Sequence, residues 1–150
     1  MENESSVNRG LRRLLFGVIV LWLAGMLLDL VLLGHYEDSW QVIPLALLGL
    51  GLAVCGWHGF RPTAASLRTL QGTMFLLAAA GLLGIYLHFD GNREFQLEMD
   101  PSQSGWALFL KVIQAHAPSA LAPAALVLLA LLGFVYSYRH PALTPADARL

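Results

Sequence analysis

Hydrophobic residues are concentrated in four stretches, and polar segments separate one stretch from the next. A helix needs about 20 mainly apolar residues to cross the hydrocarbon core of a bilayer. Because backbone groups in lipid must find their hydrogen-bond partners within the segment, stretches of this length are expected to be helical. The pattern therefore predicts four transmembrane helices, at residues 14–33, 42–57, 69–88 and 119–138.

The lengths of the polar segments predict how these helices are arranged. Residues 34–41 and 58–68 are short, so the first three spans should be antiparallel neighbours, which favours an up-down four-helix bundle. Only 13% of the residues are charged, against about 25% in soluble domains. We therefore expect an all-α membrane protein, with residues 1–150 forming a single four-helix transmembrane domain.

The polar segments alternate in the sign of their charge. Of the nine basic residues, only Arg93 and Lys111 lie in the first and third loops, where acidic residues dominate. The positive-inside rule therefore predicts cytoplasmic amino and carboxy termini and periplasmic acidic loops in a bacterial inner membrane. The basic residues predicted to be cytoplasmic are Arg9, Arg12, Arg13, Arg61, Arg68, Arg139 and Arg149.

The third loop, residues 89–118, is far longer than a hairpin requires. The sequence Asp-Gly-Asn at residues 90–92 is a turn signal that should end the third span. Residues 93–100 then alternate between apolar and polar types, which is the period of a half-buried strand or extended segment. We predict an ordered segment over the periplasmic helix ends, with Phe95 and Leu97 turned inward.

A short helix is predicted in the second half of this loop, from about Gly105 to Ala117. Its apolar residues recur at helical spacing, and a tryptophan lies near its start. Such a helix suits the membrane interface, although packing as a lid over the other helices would produce the same pattern. The apolar positions are Trp106, Phe109, Leu110 and Ile113.

Histidines and carboxylates gather at the predicted periplasmic ends of spans one and three. Imidazole and carboxylate together suit zinc, manganese or non-haem iron. A solvated membrane rim has the same composition, and a carboxylate within a span can also simply extend to the headgroups. The candidate ligand or metal residues are Asp29, His35, Glu37, Asp38, His88, Glu94 and Glu98.

Other kinds of chemistry find little support in the sequence. The single cysteine, Cys55, excludes an internal disulfide and a CxxC motif. His35 and His88 are predicted to lie on one side of the membrane, and His58 and His140 on the other, all at or beyond helix ends. Haem ligands normally project from within helices, so haem is not expected. No cofactor is predicted, and the scattered basic residues do not predict nucleic-acid binding.

Two segments, HYEDSWQVIPLALL and HFDGNREFQLEMDPS, resemble a group of small bacterial four-span membrane proteins that has no assigned activity. The resemblance covers most of the chain. It implies the four-span fold and the inner-membrane location, and it implies no activity.

The function predicted from these features is that of a non-enzymatic accessory or assembly subunit of a larger inner-membrane complex. A strand-like segment without a partner strand would seek another edge, on a membrane-protein partner or a second copy of the chain. The predicted interaction surface comprises Phe95, Leu97, Trp106, Phe109 and Ile113. The alternative is a protein that binds or transports a small ligand or metal ion through the histidines and acids named above.

Overall fold

The computed structural model describes residues 2–115 and 119–143, with side chains from Ser6 onward. Within these ranges the chain forms five α-helices and one turn of 3-10 helix. The helices are α1 (Glu2–Leu32), α2 (Ser39–Phe60), α3 (Ala64–Met99), α4 (Gly105–Ile113) and α5 (Ala124–Ser137), and the 3-10 turn is Pro141–Leu143.

Three of the helices are long and apolar enough to cross a membrane: α1 from Ser6 onward, α2 and α3. The predicted fourth span is shorter than expected, because α5 has 14 residues and is about 21 Å long. Residues 119–123, the start of the predicted span, are not α-helical. The chain forms turns there and becomes helical at Ala124. A hydrocarbon core of about 30 Å exceeds the length of α5 alone.

α3 is longer than predicted, and the turn and the strand expected in its second half are wrong. The helix continues through Asp90, Gly91 and Asn92 and ends at Met99. Residues 93–99 consist mostly of strong helix formers, arginine, glutamate, glutamine, leucine and methionine, whose propensity agrees with the observed helix. The ring contact of Phe89 with Phe109 shows that packing against α4 reinforces the helix.

The start of α4 agrees with the sequence prediction, whereas α3 ends at Met99 and not at residue 88 as predicted. Asp100 precedes a proline and adopts an extended conformation, as residues before proline usually do. Its Oδ1 accepts hydrogen bonds from the backbone N–H (3.1 Å) and the hydroxyl (2.6 Å) of Ser102. These bonds lower the pKa of Asp100. α4 begins at Gly105 as predicted and ends at Ile113; residues 116 and 117 of the predicted helix lie outside the described residues.

The packing of the helices follows from apolar side chains and glycines that face one another. α1 contacts α2 and α5, while α3 contacts α2, α4 and α5. Leu23 of α1 lies against Gly51 of α2, and Met74 of α3 lies against Gly133 of α5. The fully buried core is formed by Ile19, Leu23, Leu48, Leu67, Leu70, Met74, Leu77, Leu129 and Ala130.

This antiparallel packing separates two ends of the molecule. The acidic end comprises the α1–α2 connection and residues 88–115, and the basic end comprises the start of α1, the α2–α3 connection and residues 138–143. Ring contacts between His35 and His88 at one end, and between His58 and His140 at the other, show that the sorting by side predicted for these histidines is correct. Arg149 lies outside the described residues.

Candidate functional site

His35 is positioned at the acidic end by a glycine that ends α1. Gly34 has a φ of 68°, in the left-handed region that glycine adopts without strain. The backbone N–H of His35 donates to the carbonyl of Leu30 (2.9 Å), and that of Gly34 donates to Val31 (3.1 Å). This is the Schellman arrangement, which turns the chain at a helix end and satisfies the last carbonyls.

His88 of α3 meets His35 across the acidic end, with ring centroids 6.5 Å apart. The Nδ1 atom of His88 lies 2.9 Å from the carbonyl oxygen of Ser119. Because a carbonyl can only accept, Nδ1 carries a proton, and in the neutral form of His88 the lone pair lies on Nε2. Burial and the neighbouring His88 lower the pKa of His35, and Asp38 partly offsets the effect. The lowered pKa favours a neutral imidazole at His35.

The carboxylates predicted to join these histidines are placed differently. Asp38 caps α2, because its Oδ1 accepts from the backbone N–H groups of Trp40 (2.7 Å) and Gln41 (3.0 Å). Asp29, Glu37, Glu94 and Glu98 all have exposed side chains. Among the described residues, no group of three or more histidine, cysteine, aspartate and glutamate side chains could hold a metal ion. The structure thus brings together the two histidines of the predicted set.

The predicted interaction surface lies on the end of α3 and on α4, which we call the α3–α4 hairpin (residues 89–113). α4 packs on α3 through the side of the helix that carries Val112, which is fully buried. Trp106 is 69% exposed and stacks on Phe109, with ring centroids 4.9 Å apart and planes inclined by 20°. Ile113 is half-buried. Phe109 also contacts Phe89 of α3, so the apolar face of α4 is partly packed and partly exposed.

The inward orientation predicted for Phe95 is wrong, because its side chain is 57% exposed. In a helix, Phe95 shares a face with Met99, one turn later, which is 72% exposed. Leu97 is half-buried, on a different face. Glu94 and Glu98 also lie one turn apart and are exposed, so the end of α3 carries an acidic stripe and a separate apolar stripe.

A hydrogen-bonded cluster at the basic end was not foreseen from the sequence. His58 is buried, and its Nδ1 lies 2.8 Å from Ser66 Oγ while its Nε2 lies 3.0 Å from the hydroxyl of Tyr136. Ser66 Oγ also donates to the carbonyl of Arg61 (2.9 Å). Since the serine proton is used there, His58 donates from Nδ1 and accepts the tyrosine proton at Nε2.

The local sequence explains part of this cluster. Thr63 and Ser66 form a reciprocal capping box at the start of α3, a signature that could have been recognised from their spacing. The participation of Tyr136 could not, because it lies 78 positions from His58 along the chain. The ring of Phe16 lies beside both, with centroids 5.3 Å from Tyr136 and 6.0 Å from His58.

Arg12 and His140 complete the basic end. Arg12 Nη1 donates to the carbonyl oxygens of Tyr136 (3.2 Å) and Tyr138 (3.4 Å), which satisfies carbonyls at the end of α5. His140 Nδ1 accepts from the backbone N–H of Ala142 (3.1 Å). Burial, with Arg12 and His58 nearby, lowers the pKa of His140 to about 4. The imidazole of His140 is therefore neutral near pH 7.

No protein-family model, no curated protein and no solved structure matches this chain. The functional interpretation consequently rests on the chemistry and geometry of the two ends.

Proposed function

We propose that this protein is a non-enzymatic subunit of a larger membrane complex and that it contacts its partner through the α3–α4 hairpin. In this proposal the chain crosses a bacterial inner membrane four times, with both termini in the cytoplasm and the hairpin in the periplasm. The observation that carries the proposal is the set of exposed apolar side chains on the hairpin, beyond the part of α3 that lipid would cover.

The length of α3 supports this interpretation. Its 36 residues span about 54 Å, whereas the hydrocarbon core is about 30 Å thick. At least about 20 Å of the helix therefore has to stand outside the hydrocarbon. Asp90, Glu94 and Glu98 all lie in the last three turns, so the acidic end is the part that projects. Phe95 and Met99 are then exposed where lipid tails do not reach them.

The chemistry of this surface favours a protein partner. Apolar side chains that are exposed together and bordered by charged residues are typical of protein interaction sites. Aromatic residues and methionine are enriched in interface cores, and the hairpin exposes Phe95, Met99, Trp106 and Phe109. Trp106 and Phe109 are already stacked, so little rotamer freedom would be lost when a partner covers them.

The proposed fourth crossing rests on α5 and the residues before it. The apolar turns at residues 119–123 lengthen the segment beyond the 14 helical residues of α5. Arg12 of α1 binds the carbonyls at the end of α5, so the start of α1 and the end of α5 lie on the same side. This arrangement supports an even number of crossings.

Replacing Phe95 with alanine tests the proposal, and Phe75 of the same helix offers a matched control. Phe75 is 66% exposed but lies in the apolar half of α3, where lipid would surround it. We expect the unmodified protein and Phe75→Ala to migrate as one complex of defined stoichiometry after extraction in a mild detergent. Phe95→Ala should release the protein from that complex, because truncation of a central aromatic anchor typically costs about 2 kcal/mol or more.

Blue-native electrophoresis and mass spectrometry of the excised band would measure both the size and the composition of the complex. Membrane insertion of each variant is checked by its resistance to carbonate extraction. A single, partner-free species in the unmodified protein, or equal loss of the complex in both variants, would contradict the proposal.

The alternative function, binding of a small ligand or metal ion, is favoured by one observation. His88 Nδ1 donates to the carbonyl of Ser119, so in the neutral form of His88 the lone pair that a metal needs lies on Nε2. Metal-binding histidines commonly donate their second nitrogen to a carbonyl in this way. His35 and His88 would supply two coordinating nitrogens. The remaining coordinating atoms would have to come from residues outside those described or from the bound small molecule. Elemental analysis of the purified protein is the direct test.

A further inference from the structure

The basic end contains an open groove between the start of α1 and the end of α5, with a volume of about 310 Å³. Its lining combines guanidinium groups with aromatic rings. The lining residues are Arg9, Arg12, Arg13, Phe16, Tyr136, His140 and Pro141.

The groove obtains its charge from one face of α1. Arg12 and Arg13 lie three and four residues after Arg9, and residues at those spacings share a helix face. Phe16 continues the same face one turn later and packs against Tyr136. The sequence of α1 therefore presents three cations and then an aromatic ring to the end of α5.

These cations have no acidic partner among the described side chains. The ion pair that the described residues form, between Arg93 and Asp90 at 3.8 Å, lies at the opposite end of the molecule. Arg12 uses Nη1 on two carbonyl oxygens, and a guanidinium group has five N–H donors in total. With respect to the described side chains, Arg12 keeps unused donors, and the guanidinium groups of Arg9 and Arg13 form no ion pair.

We propose that this groove binds the phosphate group of an anionic phospholipid, with Arg9 and Arg13 as its principal ligands. Guanidinium groups pair with phosphate oxygens through two parallel hydrogen bonds. Basic pockets between transmembrane helices on the cytoplasmic side are suited to acidic headgroups. The proposal takes the basic end as the cytoplasmic side, as in the topology proposed above, but it does not depend on the partner proposed for the α3–α4 hairpin.

A lipid is favoured over a free phosphate ion by the apolar part of the lining and by the position of the groove. Phe16 and Tyr136 line the groove beside the arginines. The groove also lies at the start of α1, a helix long and apolar enough to cross a membrane, so a headgroup bound there would have its acyl chains in the bilayer. Phe16 and Tyr136 would in turn lie against the apolar part of the glycerol group.

The test compares two double variants that remove the same charge from the same end of the protein. Arg9→Ala with Arg13→Ala empties the groove of its two exposed arginines. Arg61→Ala with Arg68→Ala removes two exposed arginines that do not line it. Arg12 is left in place, because its loss would also disturb the end of α5. Circular dichroism would confirm that both variants keep their helix content.

Binding is measured by native mass spectrometry and by the shift in Tm when delipidated protein in detergent receives dioleoylphosphatidylglycerol. Dioleoylphosphatidylcholine and sodium phosphate are added separately at the same concentration. We expect phosphatidylglycerol to bind selectively to the unmodified protein and to the Arg61/Arg68 variant. In the Arg9/Arg13 variant its affinity should fall about 30-fold, from the contribution of two juxtamembrane arginines.

Three results would overturn the proposal. Unchanged phosphatidylglycerol affinity in the Arg9/Arg13 variant would show that the groove is not the site. An equal loss in both double variants would show attraction to the whole basic end. Sodium phosphate that matched the effect of phosphatidylglycerol would assign the groove to a free anion in place of a lipid.

Discussion

The contact between α3 and α5 at Gly81 allows a quantitative prediction about the packing of α5. A methyl group placed on Gly81 would lie 2.8 Å from Val127 Cγ2, 2.9 Å from the carbonyl oxygen of Pro123 and 3.0 Å from Leu126 Cβ. Ordinary contacts between carbon atoms are about 3.5–4.0 Å. Val127 can rotate, but the Pro123 carbonyl belongs to the backbone, so α5 would have to move away from α3.

The expected magnitude follows from two opposing effects of Gly81→Ala. Overpacking of a well-filled contact costs about 1–3 kcal/mol. Alanine in place of glycine within a helix contributes up to about 1 kcal/mol in the stabilising direction. Gly72→Ala, in the same helix, isolates the second effect, because a methyl group there would have nothing within 4 Å. The difference between the two variants therefore measures overpacking alone and should be about 1–3 kcal/mol.

The free energy of unfolding is measured by titrating the protein in dodecylmaltoside micelles with sodium dodecyl sulfate and following the loss of helix by circular dichroism. Gly72→Ala should be as stable as the unmodified protein or more so, and Gly81→Ala should unfold at a lower mole fraction of sodium dodecyl sulfate. If Gly81→Ala were as stable as Gly72→Ala, α5 would not pack against α3 in the way described.

Two further predictions concern the basic end. Tyr136→Phe removes the hydroxyl that donates to buried His58 and should lower the free energy of unfolding by about 1–3 kcal/mol. The control Tyr138→Phe changes a side chain that is 68% exposed and should alter the free energy of unfolding little. Equal effects of the two variants in the same unfolding titration would refute the assigned hydrogen bond. His140 has a pKa of about 4 in the folded protein, below its ordinary value of 6.5. Between pH 6.5 and pH 4 the unfolded chain therefore binds a proton at His140 that the folded protein does not bind. The free energy of unfolding should consequently fall as the pH falls through this range. The variant His140→Asn still offers an oxygen to the Ala142 N–H, so it should keep this hydrogen bond while its free energy of unfolding depends less on pH. The pH dependence due to His35 should remain. If the difference in the free energy of unfolding between pH 7.5 and pH 5 were unchanged in the variant, the prediction would be contradicted.

The α3–α4 hairpin shows where reasoning from the sequence was insufficient. Residues 93–100 satisfy a two-residue alternation, yet the same residues place Phe95 with Met99, and Glu94 with Glu98, one helical turn apart. A short segment can satisfy both periods, and here packing against α4 and good helix propensity decided in favour of the helix. Phe95 is exposed as a result, because in a helix it shares a face with Met99 one turn later, whereas in a strand it would share a face with Leu97.

The sequence by itself determined the features that depend on local composition. The apolar stretches that form α1, α2 and much of α3, the glycine that ends α1, the proline that ends α3 and the start of α4 at Gly105 all follow from residues close together in the chain. The opposite ends at which the two histidine pairs lie follow from the same pattern, because antiparallel helices carry each connection to a defined side.

Only the tertiary structure decided which distant groups meet. Tyr136 donates to His58 and Arg12 binds the end of α5 across separations of 78 and 124 residues, and neither pairing has a periodic signature. Each depends on the rotation of a helix about its own axis, which is set by close contacts such as Gly81 with Pro123 and Gly51 with Leu23. Polar groups that enter such an interface must find partners there, since an unpaired buried donor or acceptor costs about 1–3 kcal/mol.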